Sequence, residues 1–226
     1  MLPVSYIHSQ ADLLFLNTDY ANIGNTGGLR GSTVAGSFYW GLHTAYPGRS
    51  GDQASNVCAY GSYAYVAAAR SSGGFVRTGR VVNPAATVSF PTCTSGSETA
   101  THWSLGTKSD GSGDIIRAGP LGTFLGNFVA ATSDTLTIPG LSGLAVDDQI
   151  SFYAFANTSL PTGLTEGTVY YVKTLSGDAI TVSTTLGGTT LDITAVGYGL
   201  AFRNTQILIY AGVKPQLTTS TAIVEG

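Results

Sequence analysis

Charge is what this sequence has least of. Only 10% of its 226 residues are charged, with three Glu and three Lys among them, against roughly 25% in an ordinary soluble domain. Without Glu and Lys, long surface helices lack their usual residues, which excludes a helical bundle. The ten Lys and Arg are spread along a chain of net charge −3. They form no basic stripe of the kind that displaces counterions from a nucleic acid, so no nucleic-acid partner is expected. No apolar run approaches the roughly 18 residues of a membrane-spanning helix, and MLPVSYIHSQAD carries neither part of an export signal. A chain made in the cytoplasm, without membrane contact, is expected. Two cysteines, Cys58 and Cys93, are too few for a disulfide framework.

What is present favours strands. Thirty Gly and twelve Tyr stand beside abundant Thr and Ser, and 43% of residues are hydrophobic, the reverse of a disordered composition. The length suits one large β domain or two small ones. A mean hydropathy of +0.19 with so little charge points to surface that ends up covered by partners; a large β core under a neutral polar surface is the plainer reading.

Only residues 9–21 read as a helix, with Ser9 as N-cap, Asp12 three residues on, and Leu13, Leu14, Leu16 and Tyr20 at helical spacing. It runs into the Gly-rich ANIGNTGGLRGS. VAGSFYWGLHTAY then alternates, with Phe38, Trp40 and Leu42 on one face and Tyr39 and His43 on the other. PGRSGDQASN (47–56) is a polar loop. YGSYAYVAAAR, FVRTGRVVN, ATVSFPTC, THWSLGTK and IIRAGPL follow as strands or hairpin arms. Between 134 and 203, TLTIPGL, QISFYAF, TVYYVKTL, AITVSTTL, TLDITAV and GLAFR are strand-like segments split by turn signals, a small module of five or six strands. TQILIYAGV is a strand whose place periodicity leaves open.

Several motifs in one order carry a resemblance: LHTAYPG (42–48), NVCAYGSYAYVAAAR (56–70), FPTCTSG (90–96), THWSLG (101–106) and IIRAGPLGT (115–123). Over residues 9–123 the chain resembles a family of small structural proteins of tailed bacteriophages, often called tail fibre proteins. Three positions depart from the family pattern: Tyr46 replaces an Asp, Val57–Cys58 a Glu, and Tyr65 an Arg. The resemblance implies a non-enzymatic virion part whose closing strands are TQILIYAGVKPQLTTSTAIVEG. Residues 127–203 are then a module inserted in a host domain of 1–126 plus 204–226. The expected fold is all-β, a β-sandwich host with one short N-terminal helix and an inserted barrel-like module.

No chemistry-bearing constellation emerges. His8, His43, His102, Cys58 and Cys93 lack the close spacing of a zinc site and read as structural. Asp110 and Asp114 lie in a hairpin turn without the closing Glu of a calcium loop. Asp147 and Asp148 read as a solvated turn, and neither GSGD nor TGG is a phosphate loop. No catalytic, metal or cofactor residue is assigned. The aromatic surplus is the functional signal, since Tyr is favoured at interfaces; the candidate contacts are Leu13, Leu16, Tyr20, Tyr39, Tyr63, Tyr65, Tyr153 and Tyr171. The helical segment is also expected to reach across to a neighbouring subunit.

The resulting expectation is a capsid decoration (cement or head-fibre) protein residing in the virion. Its partners are the major capsid protein or other virion proteins and further copies of itself, as dimer or trimer, with the host domain docked and the module projecting. A tail fibre or adaptor protein and a carbohydrate-binding module for host attachment are the alternatives.

Overall fold

The computed structural model describes residues 3–21, 31–48, 52–155 and 158–224. The chain opens with α1 (Val4–Leu16), followed by β1 (Ser37–His43), β2 (Val66–Ala69), β3 (Phe75–Thr78), β4 (Val81–Pro84), β5 (Val88–Ser89), β6 (Ser97–Ala100), β7 (His102–Gly106) and β8 (Ile115–Pro120). Then come β9 (Gly122–Ala130), β10 (Leu136–Thr137), β11 (Gln149–Tyr153), β12 (Val169–Ser176), β13 (Ala179–Ser183), β14 (Gly197–Asn204), β15 (Ile207–Tyr210), β16 (Gln216–Leu217) and β17 (Ile223–Val224). The protein is all-β with one short N-terminal helix and one small closed barrel.

The largest open sheet has the order β2-β1-β7-β8. Alternation in β1 sends Phe38, Trp40 and Leu42 to one core, where Trp40 meets Trp103 of β7 at 5.4 Å between ring centroids. Smaller sheets close this core, β17-β4-β3, β15-β6 and β16-β5. The segment whose place periodicity left open pairs as β15 with β6, and Ile209 packs in the same core as Trp40.

The helix lies earlier than its leucine spacing predicts. Ile7, Ala11 and Phe15, spaced by four, form its buried face, whereas Leu13, Leu14 and Leu16 are half-buried and Ser9 falls inside it. Asn17 ends it in the left-handed region at φ 54°. Its amide closes a reciprocal pair with the Ser32 main chain, at 2.8 and 2.7 Å. The helix docks on its own chain: Phe15 meets Phe75 at 5.3 Å and Phe38 at 6.0 Å. Arg70 donates to the carbonyls of Leu13 (2.9 Å) and Leu14 (2.8 Å), and Arg77 pairs with Asp12. Those residues therefore bind the helix to the sheets rather than leave it as a free arm. The glycine-rich stretch expected after it lies mostly outside the described residues, at 22–30.

The barrel closes in the order β10-β13-β12-β11-β14-β9. Its separate core includes Phe128, Ile150, Phe152, Val172 and Val182. Closure rests on β9 against β14, paired from Gly122↔Asn204 to Gly197↔Ala130; sequence patterning did not mark β9. The expected strand TLDITAV is not one. Ile193 is buried in the barrel core, with its N–H on the Asp134 carboxylate (2.7 Å) instead of on a ladder partner.

Candidate interaction surface

The back face of the open sheet carries polar residues under cover. Gly41 and His43 of β1 are buried beside Ser104 of β7, with half-buried Tyr39 next to them, and the loop 52–65 lies over them. His43 Nδ1 is 2.9 Å from the Ser55 carbonyl, which can only accept, so Nδ1 carries the proton and Nε2 accepts from the Ser104 hydroxyl at 2.7 Å. Gln53, which lies in the segment read as a polar loop, is 0% exposed. Its side-chain nitrogen donates to the Tyr39 carbonyl (2.8 Å) and Ser104 Oγ (2.9 Å), and the Tyr65 hydroxyl donates to the Gln53 main-chain carbonyl (2.8 Å). Burial pushes His43 down to about 4 and the Tyr65 hydroxyl up to about 12, so both stay neutral.

His102, directly across from His43 in the register, is the joint between sheet and barrel. Its Nε2 lies 2.6 Å from the Tyr153 hydroxyl of β11, and its Nδ1 2.8 Å from Thr101 Oγ1. Burial, and then the neighbouring His43, push it down to about 4. Tyr46 packs edge-on against Tyr153, with ring centroids 5.4 Å apart, and 5.7 Å from His102. Gly167 presses on Tyr46: at φ +71°, a Cβ there would lie 2.3 Å from Tyr46 Cβ. The position where the resembled family carries Asp thus holds an aromatic ring against the barrel.

Cys58 and Cys93 are buried free thiols. Burial, followed by nearby Glu98, pushes Cys58 up to about 12, which makes it an inert packing residue. Asp110 accepts from the Ser112 N–H (3.0 Å) and hydroxyl (2.8 Å), closing a turn. Asp148 pairs with Arg203 at 3.2 Å and accepts from the Ala145 N–H, while Asp147 turns at φ 72°. Among the described residues, no group of three or more His, Cys, Asp or Glu could hold a metal. No helix among them is long and apolar enough to cross a membrane.

The tyrosines and leucines singled out from the sequence mostly hold the fold. Leu16 and Tyr63 pack on the first core; Tyr153 is 7% exposed. Leu13, Tyr20, Tyr39, Tyr65 and Tyr171 are half-buried, Tyr20 against Tyr6 at 5.9 Å. These residues are dispersed over both cores rather than gathered in one patch. An exposed apolar stripe lies elsewhere, on the outer wall of the barrel, apart from single exposed residues such as Leu208 and Tyr210 of β15. Tyr198 (56% exposed) stands opposite Val129 (59%), and Phe124 (53%) opposite Phe202; Phe155 lies 5.7 Å from Tyr198. Phe124 and Val129 lie on β9, which the sequence pattern did not mark, so the stripe was not legible although GLAFR of β14 was.

Beside the joint, a cleft of about 1030 Å³ runs between β8 and the barrel wall, lined by Tyr46, Trp103, Arg117, Phe124, Glu166 and Phe202 among others. No family model matches the chain, and no curated protein matches it.

Proposed function

We propose that this chain is a non-enzymatic structural component of a bacteriophage virion, a capsid decoration protein that covers and stabilises the shell. The observation that carries the reading is the apolar stripe of Phe124, Val129 and Tyr198 on the barrel wall, all more than half exposed in a chain with 10% charged residues. Surface of this kind gains free energy when a neighbour covers it, and assembly then draws the shell toward its bound state by mass action. The order of motifs over 9–123 supports the virion context. The histidines support a structural role, since each ring nitrogen of His43 and His102 is held within the fold. In this reading the stripe favours the barrel wall as the docking face, whereas the sequence led to the expectation that the module projects outward.

The test is co-sedimentation of the purified chain with shells that lack it. Saturable binding is expected, weakened at least tenfold by Val129→Ser with Tyr198→Ser, equivalent to about 1.4 kcal/mol. Absence of binding, or binding indifferent to both changes, would contradict the reading and favour a tail or glycan-binding role.

A further inference from the structure

We infer that the outer edge of β8 pairs antiparallel with the same edge of a second copy of this chain, about a two-fold axis at Ala118. The inference deepens the functional reading by giving the expected oligomer its surface, and it stands apart from shell binding.

The direction of each main-chain group follows from the sheet. The Leu42 N–H donates to the Tyr63 hydroxyl (3.0 Å) and its carbonyl accepts from the Cys58 N–H (2.9 Å), so Leu42 faces away from β7. Alternation turns Gly41 and His43 toward β7, and Ser104 and His102 toward β1. Trp103 and Leu105 then face β8, and their partners Gly119 and Arg117 face β7. Ala118, half-buried, is left with its N–H and C=O directed away from β7, as is the carbonyl of buried Pro120. β8 is the last strand of its sheet. Among the described residues, no backbone hydrogen bond joins Ala118 or Pro120 to a strand on that side. An unpaired edge of this kind is a template for another strand.

A second copy fits the edge because the pattern is self-matching. With the axis at Ala118, the two Ala118 residues exchange both their main-chain hydrogen bonds, and Pro120 stands opposite Ile116 of the second copy. Pro120 has no N–H to offer. The Ile116 carbonyl needs none, because it already accepts from Arg117 Nη1 at 2.6 Å. Moving the axis to Gly119 would set the Ala118 carbonyl against Pro120 and leave it without a donor. A cleft of about 1030 Å³ borders this edge, with Phe124, Phe202 and the segment 220–223 among its other walls, and Phe124 is exposed; an added strand would lie roughly 4.8 Å from β8.

The experiment uses the full chain with single thiols introduced on this edge. In a hydrogen-bonded antiparallel pair, facing Cα atoms are about 5.5 Å apart, within disulfide reach. Ala118→Cys is therefore expected to cross-link to itself under mild oxidation. Thr123→Cys, in the same cleft but away from its mate, is expected to cross-link many-fold more slowly. Native Cys58 and Cys93 are buried and do not compete. Sedimentation of the unsubstituted chain is expected to give twice the 23.2 kDa chain mass. A monomer, a trimer, or equal cross-linking at both positions would overturn the pairing. A chain that stays single yet saturates shells would sink the pairing alone, and a pair that ignores shells would sink the decoration reading alone.

Discussion

Acidifying the protein from pH 7 to pH 4 is expected to remove about 3 kcal/mol of folding stability for each of two buried histidines. The sign follows from which state binds the proton. In the unfolded chain, His43 and His102 titrate near 6.5; in the folded chain, burial holds each near 4. Between those values the unfolded state takes up protons and the folded state does not. The stability is thus complete above 6.5 and is lost progressively as pH falls toward 4. Protonation also breaks the local pattern. His43 Nε2 would cease to accept from Ser104, and a charged His102 would sit beside His43, Tyr46 and Tyr153. The two residues stand opposite each other in the register of β1 and β7, and His43 adds to the lowering at His102. Urea unfolding from pH 7 to pH 4 is expected to show a steep fall in midpoint below pH 6.5. His43→Gln is expected to make that fall shallower, whatever it does to stability at pH 7. A flat profile from pH 7 to pH 4.5 would contradict two neutral buried rings.

Replacing Phe75 with alanine is expected to destabilise the protein by about 3–5 kcal/mol, the usual range for a fully buried phenylalanine. Phe75 is 0% exposed. Its ring meets Phe15 at 5.3 Å, Phe38 at 6.2 Å and Trp40 at 6.2 Å, so one side chain ties α1, β1 and β3 together. The cavity left behind borders the helix, which has no side-chain cap at its start. Amide exchange in residues 4–16 is therefore expected to speed up more than exchange in the barrel, whose core is separate. Val76, the next residue and 48% exposed, serves as control: Val76→Ala is expected to change stability by roughly 0.5 kcal/mol or less. A loss below about 1 kcal/mol for Phe75→Ala would mean the site can collapse around the gap, and the aromatic cluster is not the anchor of the helix.

Strict alternation was the legible part of the fold. Phe38, Trp40 and Leu42, Trp103 and Leu105, and Val88 with Phe90 all point where a two-residue period puts them. The same period misleads in TLDITAV, where Leu191 and Ile193 alternate like a strand but cover the barrel core from a loop. It misses β9 because Gly122 and Gly126 interrupt the apolar pattern and the register shifts opposite Gly126. Leucines at 13, 14 and 16 are the stronger apolar signal in this segment, yet Ile7, Ala11 and Phe15 form the seam. The joint was not legible at all. His102 and Tyr153 meet across 51 positions, and nothing in GDQASN announces that Gln53 is buried. Long-range polar contacts leave no period in a sequence, whereas a buried strand face does.

Copy number per particle tests the central claim most directly, by quantitative mass spectrometry of purified virions against the major capsid protein. The account predicts a ratio comparable to the capsid protein, as a decoration that covers the shell requires. A handful of copies would place the chain at the tail or a single vertex, and its absence from the particle would contradict a virion role altogether.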